Sequence, residues 1–450
     1  MKNYPAAIND PALSGEDRLS ALRSLEASAS GSSAGSYDRS SAEINMHVHT
    51  IYSFSPYSPS MAALRSRDAR LGAAASVDHD SIAATGEMLA ACAILGIGGS
   101  VGFELRVSFK SDKDGKPGPF ASRIMNNPDS AGYAYMTVQG IPGRSIKKAA
   151  EFLAPIRAER LERSRAMTIS LNAVLREAGF SEIDFDGDIF AGSKYGEGGG
   201  ITERHLLWAL AEKIIQKFGK GPALADGLKS KMGLTVPPEH YALLADPDNP
   251  HYLYDLLGLL KAGFLPGIFI QPNERECIPA ADAAAFARSI SAIPAYPYIG
   301  DNKAGEFEDD FIEELIAEIS RLGFQALAIT PERNTADQLR RIRGLAADWG
   351  LMEIAGADIN SSRQSFNCPE VLREESRHLL DSGWALVAHE RLASLDEAYG
   401  LFSEKNPISS MDFQKRLAFY AKLGKKLDLK NPDESAAALA EELKKDVLFS

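Results

Sequence analysis

Residues 43–50, EINMHVHT, combine a short apolar strand pattern with two histidines, at positions 47 and 49. Three other fragments share the same design, a β-like segment that ends or breaks at a group able to bind a metal. They are SVDHDS at 76–81 with His79, VGFELRV at 101–107 with Glu104, and MEIAGADINS at 352–361 with Asp358. If parallel strands deliver these groups to one edge of a sheet, they converge on a metal ion.

The chain around these fragments alternates between strand and helix patterns. Short apolar runs predict seven or eight strands, at 44–48, 73–77, 99–105, 133–138, 293–298, 326–330, 352–357 and 384–388. This alternation favours an α/β fold, a distorted TIM-like (β/α) barrel of seven or eight strands with a mainly helical insertion. In such barrels the chemistry lies where the strands end at their carboxyl side.

The pattern divides the chain into five segments. They are an N-terminal extension at 1–42, the first part of the barrel at 43–140, a helical insertion at 141–265, the second part of the barrel at 266–405 and C-terminal helices at 406–450. The extension is expected to be poorly structured, with one candidate helix capped by Ser14 and then a flexible linker of small residues. Within the insertion, Thr202 is a candidate N-cap.

Composition and charge limit the classes of function. The chain is 45% hydrophobic and 24% charged, which is typical of a soluble globular protein with a sizeable core. The net charge of −12 argues against a nucleic-acid polymer as partner, although a bound divalent ion would still allow a small anionic substrate. The three cysteines form no CxxC pair. Neither a leader nor a membrane-spanning run is visible, so the expected location is cytoplasmic.

The histidines and carboxylates at the strand ends are ligand types for a divalent metal. Imidazole and carboxylate suit zinc, manganese and iron, and carboxylate-rich sets also suit magnesium. His47 and His49 project from one face of their strand, because strand side chains alternate with period two. Glu104 can bind one ion or bridge two, and Asp358 from a late strand would complete the shell. Such a centre lowers the pKa of bound water.

These motifs resemble those of the PHP superfamily, named for its polymerase and histidinol phosphatase domains, and above all those of its small phosphoesterases that act on nucleotides. The matching stretches are HVHTIYS at 47–53 (HxHT), VDHDS at 77–81 (TDHD), GFELRV at 102–107 (G-x-E) and the block at 311–360, which ends like the family's SDxH. The resemblance implies the PHP fold, a distorted barrel that holds up to three metals.

The resemblance also implies ligands at named positions. All four ligands of the family's first metal are present, namely His47, His49, Glu104 and Asp358. His79 is the strong ligand left at the third site, where Asn360 replaces the histidine of SDxH. The implied cofactor is a divalent ion (Zn, Mn, Fe or Mg), one to three per chain, with one site intact. If the third metal is absent, His79 would serve as a catalytic general acid.

Other positions depart from the family's pattern. The aspartate or histidine after HxHT falls at 54–55, the strand-four histidine falls near 137–139, and the AHP motif reads Ala-Tyr-Pro at 295–297. Histidine or aspartate is thus replaced by tyrosine, amide or apolar groups. The second metal site keeps Glu104 as its one sure ligand.

Basic groups near the predicted rim are candidates for binding a substrate phosphate, because a guanidinium binds phosphate bidentately. The candidates are Arg106, Arg204, His205, Arg333, Arg363 and His389. Arg204 and His205 lie in ITERHLLWAL, which resembles the RPHIA element of the family's insertion. Plainer interpretations stay open: Arg106 as the partner of Glu104, His389 as a core histidine at a strand end, and the others as surface or helix-face groups.

The sequence therefore predicts a metal-dependent hydrolase. Its substrate would be a small phosphorylated molecule, a nucleotide or sugar phosphate, attacked by metal-bound hydroxide. The altered ligand positions leave a second interpretation open, a PHP-like protein with impaired catalysis that binds a metal or phospho-ligand in a regulatory role. A hydrolase of C–N or C–O bonds, as in the amidohydrolase barrels, lacks support because no carbamylation lysine can be picked out.

Overall fold

Seven strands in the described residues form one sheet, in which strands that follow one another in the chain are also neighbours in the sheet. The computed structural model describes four stretches of the chain, 4–29, 38–111, 116–301 and 308–445. The strands are β1 (Ile44–Val48), β2 (Ala73–His79), β3 (Gly98–Ser108), β4 (Tyr133–Gln139), β5 (Ile293–Tyr298), β6 (Ala326–Ile329) and β7 (Met352–Ala355). Seven of the predicted strands are therefore present.

The two outer strands, β1 and β7, approach each other and nearly close the sheet into a barrel. The N–H of His49 donates to the carbonyl of Ile359 at 2.8 Å, and the N–H of Ile359 donates to the carbonyl of His47 at 3.0 Å. The predicted fold class, an α/β TIM-like barrel, is confirmed.

One strand runs against the others. β4 pairs antiparallel with both β3 and β5, whereas the remaining neighbours are parallel. Parallel neighbours need a long crossover, usually a helix, and the described part of the connection at 109–132 contains no helix. The chain therefore returns directly beside β3, and the expectation of parallel strands is wrong at this position.

The segment predicted as the eighth strand, 384–388, is a helix instead. It lies within His378–Leu395, and almost every side chain of this helix is buried. Trp384 packs against Gly98, and Gly383 packs against Ile44, so the helix covers the amino-terminal ends of the strands. An apolar run that is buried all round has no periodicity to separate helix from strand, which explains why the prediction was wrong.

Helices surround the barrel and form the insertion. They are α1 (Tyr4–Asn9), α2 (Gly15–Ala29), α3 (Pro59–Asp68), α4 (Thr85–Leu95), α5 (Ile146–Glu177), α6 (Glu203–Phe218), α7 (Pro222–Met232), α8 (Pro238–Ala245), α9 (Tyr252–Ile268), α10 (Ala280–Ser289), α11 (Ile312–Leu322), α12 (Ala336–Trp349), α13 (His378–Leu395), α14 (Phe413–Lys426) and α15 (Pro432–Lys445). No helix of the described chain is long and apolar enough to cross a membrane.

The N-terminal extension is better ordered than predicted. Helix α2 is capped as expected, since the Ser14 hydroxyl accepts from the N–H of Asp17 at 3.1 Å. Arg18 is fully buried and forms an ion pair with Glu87 of α4 at 2.7 Å. The extension therefore packs on the barrel over 4–29, while the small-residue linker at 30–37 lies outside the described residues.

The helical insertion has an apolar core of its own. Side chains of α5, α6 and α9 pack together there, among them Leu171, Leu210 and Leu256, which are fully buried. Thr202 precedes α6 as its N-cap, as predicted, and its N–H donates to Nδ1 of His205 at 3.0 Å. The predicted end of the insertion at 265 falls inside α9.

Candidate metal centre

Residues from the first and last strands meet at the carboxyl-terminal mouth of the barrel. His47 lies in β1 and His49 directly follows it, with ring centroids 5.0 Å apart. Nε2 of His49 lies 2.9 Å from Oδ1 of Asp358, and Nε2 of His47 lies 3.9 Å from the same oxygen. These distances are short enough for the three side chains to share one ion.

Glu104 and His79 approach this group from the neighbouring strands, where they are register partners. Oε2 of Glu104 lies 3.7 Å from Nε2 of His49, 3.9 Å from Nε2 of His47 and 3.0 Å from Nδ1 of His79. The potential ligand atoms of His47, His49 and Glu104 all lie within 4.8 Å of one another. The structure thus brings together the five residues that were proposed as the main ligands from sequence.

Local sequence explains how the strand ends reach this arrangement. A Cβ at Gly356 would lie 2.5 Å from Cβ of His47, so only glycine lets the segment after β7 approach. The Asn45 side chain accepts from the N–H groups of His47 at 3.1 Å and Ala357 at 3.0 Å. Asp358 itself has a φ of 45°, a left-handed conformation that costs a non-glycine residue roughly 1 kcal/mol or more. Such strain is typical of functional sites.

Three imidazole nitrogens face the centre without hydrogen-bond partners. Nε2 of His47, Nε2 of His49 and Nδ1 of His79 are buried, and none makes a hydrogen bond of acceptable geometry within the described residues. Buried nitrogens are normally satisfied, because an unpaired one costs free energy. A cation that accepts their lone pairs would satisfy them, so this donor set fits a divalent metal.

The pKa values also suit a cation site. Burial lowers the pKa of His47 to about 4 and lowers that of His79 well below its usual value. Burial likewise raises the pKa of Glu104 to about 8. Although burial opposes it, the contact with His49 lowers the pKa of Asp358. Without a cation the histidines 47 and 79 are neutral at pH 7 and Glu104 carries a proton, which an incoming ion would displace.

A hydrogen-bonded pair that the sequence analysis missed orients His49. The carboxylate of Asp78 accepts from Ser53 Oγ at 2.6 Å and from the N–H and hydroxyl of Thr50 at 2.6 and 2.7 Å. Because the Ser53 hydroxyl donates its hydrogen bond to Asp78, Ser53 Oγ accepts a hydrogen bond from Nδ1 of His49 at 3.3 Å. This arrangement leaves the Nε2 lone pair of His49 facing the centre. The serine and threonine after HxH are the signal that would have found it.

The centre opens into a cavity of about 200 Å³. Four basic side chains line it, Arg160, Arg204, Lys261 and Arg333, together with Tyr135 and Asn126. Arg160, Lys261 and Tyr135 were not singled out from sequence. Arg160 lies on a long amphipathic helix where arginine is ordinary, so nothing in the local pattern marks it.

Arg204 is the predicted substrate-binding residue with the best position. Its Nη1 donates to Oδ1 of Asn360 at 2.6 Å and to the carbonyl of the same residue at 3.2 Å. Within the described residues no carboxylate lies in salt-bridge range of its guanidinium. Arg333 lines the same cavity but is paired with Asp301 at 2.6 Å.

The other predicted substrate-binding residues lie elsewhere. Arg106 is buried against Glu203 at 2.7 Å, and Arg363 pairs with Asp255 outside the cavity. His205 caps α6 and lines a second cavity of about 520 Å³. His389 is on helix α13 at the opposite end of the barrel, where its Nε2 lies 2.9 Å from the carbonyl of Ser291. Its expected position at a strand end is therefore wrong, because the eighth strand is a helix.

Asn360, proposed as a metal ligand from the SDxH comparison, has other partners. Its Oδ1 accepts from Arg204 at 2.6 Å, and its Nδ2 donates to Oδ1 of Asp358 at 3.0 Å. The amide therefore links the guanidinium to the candidate ligand Asp358.

The fold and site define a class, an α/β barrel with a candidate metal centre at its mouth. Two solved structures are similar in fold. A protein from Bifidobacterium adolescentis, named as a candidate metal-dependent phosphoesterase, is 18% identical, with 76% of this chain and 96% of that chain covered and a TM-score of 0.49. An amidohydrolase from Chromobacterium violaceum with bound sulfate and no metal is 20% identical, with 76% and 97% covered and a TM-score of 0.48.

No protein-family model matches the sequence, and no curated protein matches it. The barrel assignment rests on the strand order and pairing of this chain.

Proposed function

We propose that this chain is a metal-dependent hydrolase that cleaves phosphate esters of small molecules. One observation carries the proposal: three buried imidazole nitrogens without hydrogen-bond partners converge on the Glu104 carboxylate at the mouth of the barrel. The residues that would hold the ion are His47, His49, Glu104 and Asp358. Lewis-acid stabilisation of developing charge and a lowered pKa for water are the chemistry that a divalent ion supplies there.

The basic side chains of the cavity support an anionic substrate. Arg204 donates to neutral oxygens of Asn360 only, so its positive charge is not neutralised by a carboxylate among the described residues. Lys261 is exposed on the same cavity. A phosphate that enters would accept charge-assisted hydrogen bonds from the Arg204 guanidinium, which are stronger than those between neutral groups. Arg204 would therefore bind and orient the phosphate.

His79 is the side chain placed to handle a proton. It lines the cavity, and its Nδ1 lies 3.0 Å from Oε2 of Glu104. Because burial keeps its pKa low, the imidazole is neutral at pH 7 and can accept a proton at Nδ1 when that atom is not a ligand. This role differs from the general acid proposed for His79 from the sequence, because a neutral imidazole first accepts a proton at Nδ1.

The choice of phosphate esters rests on the resemblance of the motifs to PHP phosphoesterases and on the basic side chains that line the cavity. We therefore place the substrate among nucleotides and sugar phosphates, and expect no nucleic-acid polymer as substrate.

Phosphate release by metal-loaded protein tests the proposal. The chain is stripped with a chelator, reloaded separately with Mn²⁺, Zn²⁺, Fe²⁺ or Mg²⁺, and assayed on a panel of nucleoside monophosphates and sugar phosphates. We expect turnover with at least one ion and none from His49→Ala. Metal-loaded protein that binds these compounds without turnover would instead identify a regulatory binding protein, and protein that neither binds nor cleaves them would contradict the proposal.

A further inference from the structure

The metal centre lies beside a buried cluster of charges, here called the arginine network. Its members are Arg106, Arg160, Arg163, Asp80, Glu203 and Glu276. The resemblance stated above implies up to three ions at the barrel mouth. We propose that the centre holds a single divalent ion, and that the guanidinium of Arg160 occupies the place of a second cation on the His79 side of Glu104. This inference rests on the proposed metal-dependent function.

The Glu104 carboxylate approaches three imidazole nitrogens. Its Oε2 lies 3.9 Å from Nε2 of His47, 3.7 Å from Nε2 of His49 and 3.0 Å from Nδ1 of His79. A carboxylate in such a position can bridge two ions. A second ion on the His79 side would require further oxygen ligands from the residues around His79, since one imidazole and one shared carboxylate are too few.

Two further carboxylates of this region, Asp80 and Glu203, are already paired with Arg160. Its Nη1 donates to Oδ2 of Asp80 at 2.6 Å, and its Nη2 donates to Oε2 of Glu203 at 2.8 Å. Asp80 is the residue directly after His79, and its N–H donates to the carbonyl of Glu104 at 2.8 Å. The guanidinium of Arg160 therefore already binds the carboxylates that a second ion would need as ligands. Arg160 and Asp80 are both almost completely buried, so solvent does not compete for these bonds.

The other two arginines of the network hold the Glu203 carboxylate in place. Its Oε1 accepts from Arg106 and from Arg163, each at 2.7 Å. Arg163 also forms a two-point contact with Glu276 at 2.6 and 2.7 Å. The three arginines are balanced by three carboxylates, so the network is formally neutral as it stands.

A second dication would upset this balance. It would place two further positive charges beside Arg160 in a buried region, where repulsion between like charges is weakly screened. In the described residues, the ligand atoms of His47, His49 and Glu104 are close enough to hold an ion, and Asp358 approaches both of these histidines.

The network also explains how the insertion contributes to the centre. Arg160 and Arg163 are on α5 and Glu203 begins α6, so these two helices of the insertion reach the barrel mouth. Arg160 lines the cavity as well.

Manganese stoichiometry of the full chain tests the inference. The metal-stripped protein is dialysed against Mn²⁺, and bound manganese is measured by elemental analysis and by electron paramagnetic resonance. We expect one ion per chain with an uncoupled six-line spectrum. Two or more tightly bound ions, or the spectrum of a spin-coupled pair, would overturn the inference while leaving the proposed function intact. No bound ion at all would instead contradict the proposed function itself.

Two variants test the role of Arg160. Arg160→Gln removes the charge and releases Asp80, so manganese is expected to rise above one ion per chain. Arg160→Lys keeps the charge and should stay at one. Arg163→Gln, on the same helix but without a bond to Asp80, is the matched control and should also stay at one. Folded Arg160→Gln that still binds one ion would overturn the role of Arg160, and if that variant does not fold, the wild-type stoichiometry still decides the number of ions.

Discussion

The carboxylate of Asp358 lies 2.9 Å from Nε2 of His49, although the two residues belong to opposite ends of the barrel sequence. The segment after β7 makes this contact because it pairs with β1 through Ile359. Closure of the barrel and assembly of the metal centre are therefore the same structural event. Loss of this pairing would separate Asp358 from both histidines.

The Ser53–Asp78 pair should control metal affinity without contacting the metal. Ser53→Ala removes the acceptor for Nδ1 of His49, so the ring loses its fixed tautomer and orientation. We expect metal affinity to fall by roughly 10–100-fold, measured by competition with a chromogenic chelator on protein whose fold is verified by circular dichroism. Ser55→Ala in the same loop is the matched control. Equal affinities for the two variants would contradict this role.

Metal binding should release a proton from Glu104. The pKa of this buried carboxyl is about 8, so at lower pH an ion must displace its proton. We expect affinity to rise by roughly tenfold or more per pH unit below pH 8, because His49, whose pKa is also raised, can lose a proton as well, and then to level off. Calorimetry in buffers of different ionisation enthalpy measures the released protons. Glu390→Gln removes another buried carboxyl, whose pKa is about 7, far from the site, and should leave this dependence unchanged. Affinity independent of pH between 6 and 8 would contradict the role of Glu104.

Arg204 should affect substrate binding rather than metal binding. Arg204→Gln removes the charge that would bind the phosphate, at a cost of roughly 1.5–3 kcal/mol for a charged hydrogen bond. We expect KM for a phosphate ester to rise by roughly 10–100-fold, with manganese content unchanged. Arg363→Gln, whose guanidinium pairs with Asp255 outside the cavity, is the control. If both variants raise KM equally, Arg204 has no specific role.

The buried ion pair between Arg18 and Glu87 should stabilise the whole barrel. Removal of one partner leaves an uncompensated buried charge, so Arg18→Ala is expected to lower the free energy of unfolding by roughly 3–5 kcal/mol. Arg23→Ala breaks an exposed ion pair with Glu16 on the same helix and should change the free energy of unfolding little. Denaturant unfolding measures the free energy of unfolding of both variants. Equal losses for Arg18→Ala and Arg23→Ala would contradict the stabilising role of the buried pair.

Much of the fold could be predicted from sequence because its signals are local. The strands over 44–48 and 293–298 agree with the structure to the residue, since short apolar runs define them. The strand predicted at 384–388 is wrong, because the packing around this segment, rather than its apolar pattern, makes it a helix. The direction of β4 also depends on how its connection packs, which no local pattern encodes.

The candidate site likewise contains some residues that could be predicted from sequence and others that could not. His47 and His49 lie at the end of β1, and Glu104 lies inside β3 in a recognisable motif, so their convergence could be anticipated. Arg160 could not, because an arginine on a long helix looks like a solvated charge until the insertion is packed against the barrel. Asp78 was visible beside His79, yet its role depends on the fold of the loop after β1.

Anomalous diffraction from crystals grown with zinc or manganese tests the central claim most directly. We predict one strong peak at the barrel mouth, at bonding distance from Nε2 of His47, Nε2 of His49 and the carboxylate of Glu104, with Asp358 completing the shell. Zinc–nitrogen bonds are about 2.0–2.1 Å. A peak bonded to other residues, or no peak at these four side chains in metal-saturated crystals, would contradict it.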